Sequence, residues 1–183
     1  DDVVPFRGVR SFAVEEATTN LVTNSPQQPP CIKWHNAAYT QTIVTSGNLS
    51  GWKKIHITNV GDHPQLMHFG AYTHPVNETR TYAIDAIVPD DFRLEVYDIY
   101  ENVSPLSKIS QYRYAKTWTN TTGANRDTGI FLRTSLPANT SGSWDVYVRN
   151  YQIEKKPFAS SFVVGSRQTG RLVIPVEDLK FDI

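Results

Sequence analysis

The chain alternates short strand-like runs with turn residues, and this alternation is the feature that most limits its fold. No segment keeps apolar residues at positions i, i+3, i+4 and i+7 over several turns, so no long amphipathic helix is predicted. Residues that favour strands form short runs between clusters of Gly, Pro, Asn and Asp. About ten such runs predict an all-β fold, an antiparallel jelly-roll β-sandwich.

The predicted strands follow the alternation of apolar and polar residues. They are Arg10–Val14, Ala38–Val44, Lys53–Asn59, Met67–Ala71, Arg80–Val88, Phe92–Tyr100, Ser110–Thr119, Gly129–Thr134, Trp144–Glu154 and Phe158–Val163, with a further candidate at Leu172–Pro175. A length of 183 residues fits a single module. We expect its core at about residues 10–167, with 168–183 as an extra strand or a linker. The first residues lack a signal-peptide pattern and predict a boundary inside a longer polypeptide.

Charge and cysteine content argue against several functional classes. Lys+Arg and Asp+Glu both number 18, so there is no basic field for a nucleic-acid backbone or an anionic membrane. No apolar run is long enough to insert into a bilayer. Cys31 is the only cysteine, which excludes an intrachain disulfide and predicts a packed, inert thiol.

Both ends of the chain carry recognisable motifs. Residues 13–24 read AVEEATTNLVTN, and residues 151–167 read YQIEKKPFASSFVVGSR. This pair of motifs resembles the entry and the closing segment of the jelly-roll, carbohydrate-binding-like modules of phage tail and tail-fibre proteins. The likeness brackets about one full domain, although the middle, about residues 31–76, matches no pattern and is where variable loops often carry specificity.

The resemblance implies a binding function without catalysis. We expect the chain to bind host cell-surface polysaccharide during adsorption, as an extracellular part of a virion tail that contacts other tail-protein domains and forms an oligomer in the parent protein. Two alternatives stay open: a structural spacer that binds no sugar, and an accessory domain of a polysaccharide or cell-wall hydrolase. A spacer would be marked by an exposed apolar patch instead of a polar aromatic groove.

Strand alternation predicts where a saccharide site lies. Alternation predicts that one side of each central strand faces the core: Tyr82, Ile84, Ala86 and Val88, then Phe92, Leu94 and Val96, then Trp144, Val146 and Val148. Arg93, Glu95 and Tyr97 fall on the other side of their strand.

If the central strands share one sheet, the residues of this other side form one mixed aromatic and charged face. Aromatic rings stack on the apolar faces of a pyranose, while charged groups orient its hydroxyls. Ordinary cross-strand pairing is the competing explanation. The predicted ligand-binding residues are Asp85, Tyr97, Tyr147, Arg149 and Tyr151, together with Trp118, which lies beside a polar loop and could instead belong to the core.

No catalytic or transition-metal motif is present in the sequence. We find no Gly-x-Ser-x-Gly, His-Glu-x-x-His or phosphate loop, and the five histidines lack a recognised ligand spacing. No enzyme activity and no cofactor are predicted. The resemblance leaves a structural calcium ion open, with oxygens from Glu15, Glu16, Asn20 and Asn150 as its candidate ligands.

Overall fold

Fifteen strands make up the regular structure of the residues that the structure describes. The computed structural model describes residues 3–6, 9–12, 17–98 and 103–167. The strands are β1 (Val3–Phe6), β2 (Val9–Phe12), β3 (Thr18–Thr19), β4 (Ile32–Lys33), β5 (Ala38–Ile43), β6 (Lys53–Asn59), β7 (Gln65–His74), β8 (Thr79–Ile87), β9 (Phe92–Asp98), β10 (Val103–Pro105), β11 (Ser107–Lys108), β12 (Arg113–Thr119), β13 (Arg126–Thr134), β14 (Ser141–Glu154) and β15 (Ser166–Arg167). None of the described residues is helical.

Two antiparallel sheets pack face to face. One has five strands in the order β10-β9-β13-β7-β4, and the other has six in the order β11-β12-β8-β14-β6-β5. From β6 to β9 every connection crosses from one sheet to the other, and the same is true from β12 to β14. This confirms the predicted all-β jelly-roll sandwich. Two short ladders, β1-β2 and β15-β3, lie outside the two main sheets.

The core lies between the sheets and follows the predicted alternation. Tyr82, Ile84 and Ala86 of β8 point inward, as do Phe92, Leu94 and Val96 of β9. Val146 and Val148 of β14 complete the same layer. Each of these side chains removes apolar surface from water, worth roughly 1.5–3 kcal/mol for a large residue. The strand parity read from the sequence is therefore confirmed for β8, for β9 and for the part of β14 that precedes Asn150.

The segment that follows β14 is not a strand. Residues 158–163 were predicted to pair in a sheet, but they form bends and irregular structure. Their backbone groups bind side chains instead: Ser160 N donates to Glu154 Oε2 at 3.0 Å, and Val163 N donates to Gln152 Oε1 at 3.1 Å. The prediction of a strand here was wrong because buried side chains take the place of a partner strand. The tail at 168–183 lies outside the described residues.

Two further observations bear on the sequence predictions. Among the described residues, no helix has the length and hydrophobicity needed to cross a bilayer. Cys31 is partly buried, and this burial raises the pKa of its thiol to about 12 although the charge of Lys53 acts to lower it. A thiol with so high a pKa is a poor nucleophile, in agreement with a packed cysteine.

Candidate functional site

The sandwich presents two outer faces, one from each sheet. We define the six-strand face by Lys54 and His56 of β6, Asp85 of β8, Arg113 of β12, and Asp145, Tyr147 and Arg149 of β14. We define the five-strand face by Gln65 and His68 of β7, Arg93, Glu95 and Tyr97 of β9, and Phe131 and Arg133 of β13, with Trp34, His35 and His63 from neighbouring loops.

The charged groups of the six-strand face are paired with one another, with the Asp85 carboxylate between two guanidinium groups. Asp85 lies 3.2 Å from Arg113 and 3.5 Å from Arg149, and it also accepts a hydrogen bond of 2.8 Å from Asn150 Nδ2. The guanidinium of Arg149 lies 4.3 Å from the ring centre of Trp52, a cation–π contact. This arrangement has the character of an internal ion-pair network.

A second charged group on the same face is also internally paired. Asp145 lies 2.8 Å from both Lys54 Nζ and His56 Nδ1. Burial alone would raise the pKa of Asp145, but the hydrogen bonds from Lys54 and His56 outweigh it and hold that pKa below its ordinary range. Tyr147, half-buried, is the aromatic member of the face. The six-strand face therefore offers a ligand one ring and few unpaired charges.

Three of the six predicted site residues come together on this face. Asp85, Tyr147 and Arg149 share it, because Arg149 and Asp85 are directly opposite in the β14-β8 ladder and Tyr147 is two residues away along β14. The other three predicted residues lie elsewhere, and each has its own structural reason.

Tyr97 belongs to the other sheet. The prediction grouped Tyr97 with Asp85 on the condition that the central strands share one sheet, but β9 pairs with β10 and β13, whereas β8 and β14 pair with each other. Tyr97 therefore lies on the five-strand face, where its ring packs on Phe131 with 4.8 Å between ring centres. The placement of Tyr97 beside Asp85 was wrong because strand pairing between distant segments is not encoded in local alternation.

A bulge in β14 turns Tyr151 into the core. Arg149 pairs with Asp85 while Gln152 pairs with Ala83, so β14 has one extra residue there. Asn150 takes up the irregularity with a positive φ of 56°. Tyr151 is 0% exposed, and its hydroxyl donates to Gly70 O at 3.3 Å. The prediction that Tyr151 follows Arg149 on the outer face was wrong because the bulge reverses the alternation.

Trp118 faces inward from β12. It packs against the hydrophobic core and meets the ring of His74 edge-on at 5.0 Å. Its neighbour on the same side of the strand, Tyr114, also packs against the core. The sequence left two interpretations of Trp118 open, a ligand-binding residue and a core residue. Its packing agrees with a core residue.

The five-strand face carries a continuous aromatic cluster. Trp34 contacts Phe131 at 5.8 Å and His68 at 5.9 Å between ring centres, both edge-on. His68 stacks on Phe131 at 5.1 Å, and His35 stacks on His63 at 4.1 Å. Phe131 is buried beneath this layer, whereas Trp34 and His63 are half-buried and His35 is exposed. The cluster therefore presents several ring surfaces to solvent above a packed floor.

Beside the rings lie buried polar atoms without hydrogen-bond partners. On this face Gln65 Oε1, Glu95 Oε2 and His68 Nδ1 have no such partner among the described residues, and on the six-strand face the same is true of Arg149 Nε. Glu95 is 0% exposed, and its other oxygen accepts a hydrogen bond of 3.2 Å from Gln65 Nε2. Burial lowers the pKa of His68, which favours its neutral imidazole. Buried polar groups are normally hydrogen-bonded, so these atoms are candidates for contacts to a ligand.

Two arginines stand directly opposite each other on this face. Arg93 and Arg133 are register partners in the β9-β13 ladder. Arg93 Nε lies 3.5 Å from Glu95 Oε2, and Arg133 Nη1 lies 3.6 Å from Glu95 Oε1. One carboxylate thus serves two guanidinium groups, and both contacts are longer than a good hydrogen bond.

Most residues of the five-strand face were not predicted from the sequence. Trp34, His35, His63, Gln65 and His68 all come from residues 31–76, the region that matched no pattern. The parity of Arg93, Glu95 and Tyr97 was read correctly, but the other residues of the face could not be joined to them without the pairing of β7, β9 and β13. The only local feature of the sequence that could have indicated this face is the high density of His and Trp residues between Trp34 and His68.

Of the four candidate calcium ligands, Asn20 and Asn150 lie among the described residues, and both make hydrogen bonds within the protein. Asn20 Oδ1 accepts hydrogen bonds from Val22 N at 3.0 Å and Ile153 N at 3.1 Å, and its Nδ2 donates to two backbone carbonyls. Asn150 donates to Asp85. Glu15 and Glu16 lie outside the described residues. Asn20 is a structural clamp whose hydrogen-bonding capacity is used, and it does not fit a calcium ligand.

Histidine and acidic side chains of the described segments likewise form no group of three that could hold a metal ion. No family model matches the sequence. No curated protein matches it either.

Six chains of solved structures are similar to this one. A structure described as "CBM4 structure and function" is 13% identical over 77% of this chain and 95% of its own, with a TM-score of 0.45. The CBM22-1 and GH10 modules of the Clostridium thermocellum endo-1,4-beta-D-xylanase 10B, complexed with xylohexaose, are 11% identical over 83% of this chain and 30% of theirs, with a TM-score of 0.44. The family 11 carbohydrate-binding module of the cellulosomal cellulase Lic26A-Cel5E of Clostridium thermocellum is 14% identical over 78% of this chain and 95% of its own, with a TM-score of 0.35. At TM-scores below 0.5, neither a ligand nor a site is transferred from these proteins.

Proposed function

We propose that this chain is a non-catalytic carbohydrate-binding module whose ligand site is the five-strand face. The observation that carries the proposal is the combination on that face of accessible rings, at Trp34, His35 and His63, with buried polar atoms that lack partners, on Gln65, Glu95 and His68. Rings suit the C–H faces of a sugar, and acceptor atoms suit its hydroxyls.

The mechanism is non-covalent recognition on a rigid sheet. Glu95 and Phe131 are held by neighbouring strands, so the polar and aromatic groups are already in place before a ligand arrives. Preorganisation of this kind lowers the entropy that binding must lose. A sugar hydroxyl that donates to Glu95 Oε2 or Gln65 Oε1 would satisfy an atom that is otherwise buried without a hydrogen bond.

The six-strand face is the second candidate location. Asp85, Tyr147 and Arg149 lie together there as the sequence predicted, and their role in binding stays a prediction. The internal pairing of Asp85 with Arg113 and Arg149 disfavours it, because a ligand would have to compete with contacts already made. The alternatives of a spacer without ligand and of a hydrolase accessory domain also remain as outcomes to test.

The biological setting is the finer part of the proposal. The motifs at residues 13–24 and 151–167 support a module of a phage tail or fibre that adsorbs to host cell-surface polysaccharide. In that setting the protein acts outside the host cell, next to other tail domains. If the affinity of a single site is weak, several sites in an oligomeric tail would increase the overall affinity through avidity.

Affinity electrophoresis in gels containing single polysaccharides tests the proposal. We expect retardation of the wild-type protein by at least one polysaccharide, and loss of most of it in Trp34→Ala, because stacking on an aromatic ring contributes about 0.5–1.5 kcal/mol beyond area burial. Tyr147→Ala removes a ring of similar exposure from the opposite face and should leave retardation unchanged.

The two variants separate the candidate faces. Retardation lost in Tyr147→Ala but kept in Trp34→Ala would move the site to the six-strand face. A wild-type protein that no neutral, acidic or amino-sugar polysaccharide retards, even when it is coupled to a multivalent carrier, would refute carbohydrate binding and favour the spacer.

A further inference from the structure

The five-strand face has an excess of positive charge beside its acceptor atoms. Arg93 and Arg133 are paired across adjacent strands, and like charges directly opposite each other destabilise a sheet. Glu95 compensates only one of the two positive charges. On the opposite face Asp85 also lies between two guanidinium groups, but both of these are less exposed than Arg93 and have further contacts. Arg113 donates to Asn150 O at 2.7 Å, and Arg149 lies over the ring of Trp52.

Both arginines keep donors for a further partner. Arg93 directs only its Nε toward Glu95, and Arg133 directs only one terminal nitrogen. A guanidinium has five N–H donors in a planar fork, so most of them remain unused by Glu95. The Arg93 side chain is 55% exposed and the Arg133 side chain 27%, which places these donors at the surface.

Glu95 positions Arg93 and Arg133 but uses only part of their hydrogen-bonding capacity. The carboxylate is fully buried and lies in the same row as Phe131, one row from the two arginines, so it anchors both guanidinium groups from below. Its Oε2 still has no hydrogen-bond partner among the described residues. An anchored pair of guanidinium groups suits a planar or tetrahedral anion that each can hold by two N–H bonds.

We propose that the saccharide bound at the five-strand face is acidic, with its carboxylate or phosphate group held between Arg93 and Arg133. This proposal rests on the proposed carbohydrate-binding function and adds the chemical class of the ligand. The sugar ring would lie toward the ring cluster of Trp34, and hydroxyls of the same unit would donate to Glu95 and Gln65. The anion would supply the second negative charge that the two arginines lack.

Binding of three polysaccharides by isothermal titration tests the ligand class. The probes are a polyuronate, a teichoic acid as a phosphate-bearing polymer, and a neutral glucan. We expect one of the acidic polymers to bind more tightly than the glucan, and its affinity to fall as NaCl rises because surface ion pairs are screened. The polyuronate and the teichoic acid together distinguish a carboxylate from a phosphate ligand.

Variants then assign the contact. Arg93→Gln and Arg133→Gln should each weaken acidic binding about tenfold or more, as expected for the loss of a charge-assisted hydrogen bond. Lys108→Gln removes the same charge from an exposed residue of β11, in the other sheet, and should leave binding unchanged. The double replacement of Arg93 and Arg133 by Lys keeps the charge but removes the planar fork, so binding should be reduced and should remain salt-dependent. It also guards against a Gln variant that fails to fold.

The outcomes separate this inference from the function on which it rests. The acidic ligand would be refuted, and the carbohydrate site would stand, under three joint results. The glucan would bind as tightly as the acidic polymers, Trp34→Ala would abolish binding, and both Gln variants would bind normally. If none of the three polymers, nor any other saccharide, binds the wild-type protein, both proposals fall. The acidic-ligand proposal would also be refuted if Lys108→Gln weakened binding of the acidic polymer as much as Arg93→Gln does. The overall charge of the protein would then explain the affinity.

Discussion

At the scale of single residues, buried hydrogen bonds decide protonation. His74, the last residue of β7, is fully buried. Its Nε2 lies 2.7 Å from the carbonyl oxygen of Glu78, and its Nδ1 lies 2.8 Å from the hydroxyl of Tyr82. A carbonyl can only accept, so Nε2 carries the proton and Nδ1 accepts from Tyr82. Burial raises the pKa of Tyr82 to about 12, which keeps that donor protonated.

This arrangement predicts acid sensitivity. Burial lowers the pKa of His74 in the folded protein, so the unfolded chain binds a proton at a higher pH than the folded one does. The stability that His74 contributes is complete above the ordinary histidine pKa of about 6.5 and is lost as pH falls below it. We expect the free energy of unfolding to decline there, by at most about 1.4 kcal/mol per pH unit for one proton.

Urea denaturation of the His74→Gln variant between pH 7.5 and 4.5 checks this prediction. The variant should lose stability at neutral pH and show a shallower decline toward acid pH than the wild-type protein. His68 shifts in the same direction, so part of the decline should remain. Thr19→Val, which changes an exposed side chain that does not titrate, is the control and should keep the wild-type slope. Equal slopes in His74→Gln and the wild-type protein would contradict the account.

At the scale of elements, one bulge reverses the side-chain alternation along β14. The extra residue of β14 puts Asn150 at a φ of 56°, a conformation that asparagine tolerates and β-branched residues avoid. It also places Asn150 Nδ2 on Asp85 and turns Tyr151 inward. The buried half of β14 and its charged half thus depend on one backbone conformation.

Substitution at Asn150 should follow backbone preference. We expect Asn150→Val to lower the free energy of unfolding by about 1–3 kcal/mol, since strained positive-φ conformations of this kind cost that much. Asn150→Gly relieves the backbone but loses the contact to Asp85, so its cost should be smaller. Chemical denaturation ranks the two variants, and a Val variant as stable as the Gly variant would show that the bulge can be straightened without cost.

Elements also show how far the sequence alone leads. Alternation correctly placed the inward rows of β8 and β9, because it is a local property of a strand with one buried side. Alternation did not predict the position of Tyr97, because it does not say which strands are neighbours in a sheet. It did not predict the position of Tyr151 either, because one inserted residue in β14 exchanges the inward and outward sides of the strand. Strand pairing joins segments far apart in the chain, so neither the five-strand face nor its arginine pair could be predicted before the sheets were known.

At the scale of the whole molecule, the two ends of the module are fastened to each other. Thr18 Oγ1 donates to Glu154 Oε1, and Ser160 Oγ donates to the same oxygen at 2.6 Å. The backbone of Asn20 donates to Gly165 O at 2.7 Å, and β3 pairs with β15. The described parts of the two motifs, residues 17–24 and 151–167, therefore form a structural latch, and Glu154, at 0% exposed, is its centre.

Adjacent threonines offer a sharp test of the latch. Thr18→Val removes a donor from buried Glu154 and should cost about 1–3 kcal/mol of unfolding free energy. Thr19→Val changes an exposed hydroxyl that meets Ser166 at 2.9 Å, and should cost no more than about 0.5 kcal/mol. Saccharide affinity should be the same in both variants. A loss of affinity in folded Thr18→Val, without loss of stability, would assign the terminal motif to ligand binding instead.

The most direct test of the central claim follows the indole N–H signals of the four tryptophans in a ¹⁵N–¹H NMR titration with an oligosaccharide of a polysaccharide that the protein binds. Single Trp→Phe variants assign the four signals. Trp34 lies in the five-strand face, whereas Trp52 lies beneath Arg149 on the other sheet. A saturable shift of the Trp34 signal with Trp52 unmoved is the predicted result. A shift of Trp52 while Trp34 stays in place would contradict the assignment of the ligand site to the five-strand face.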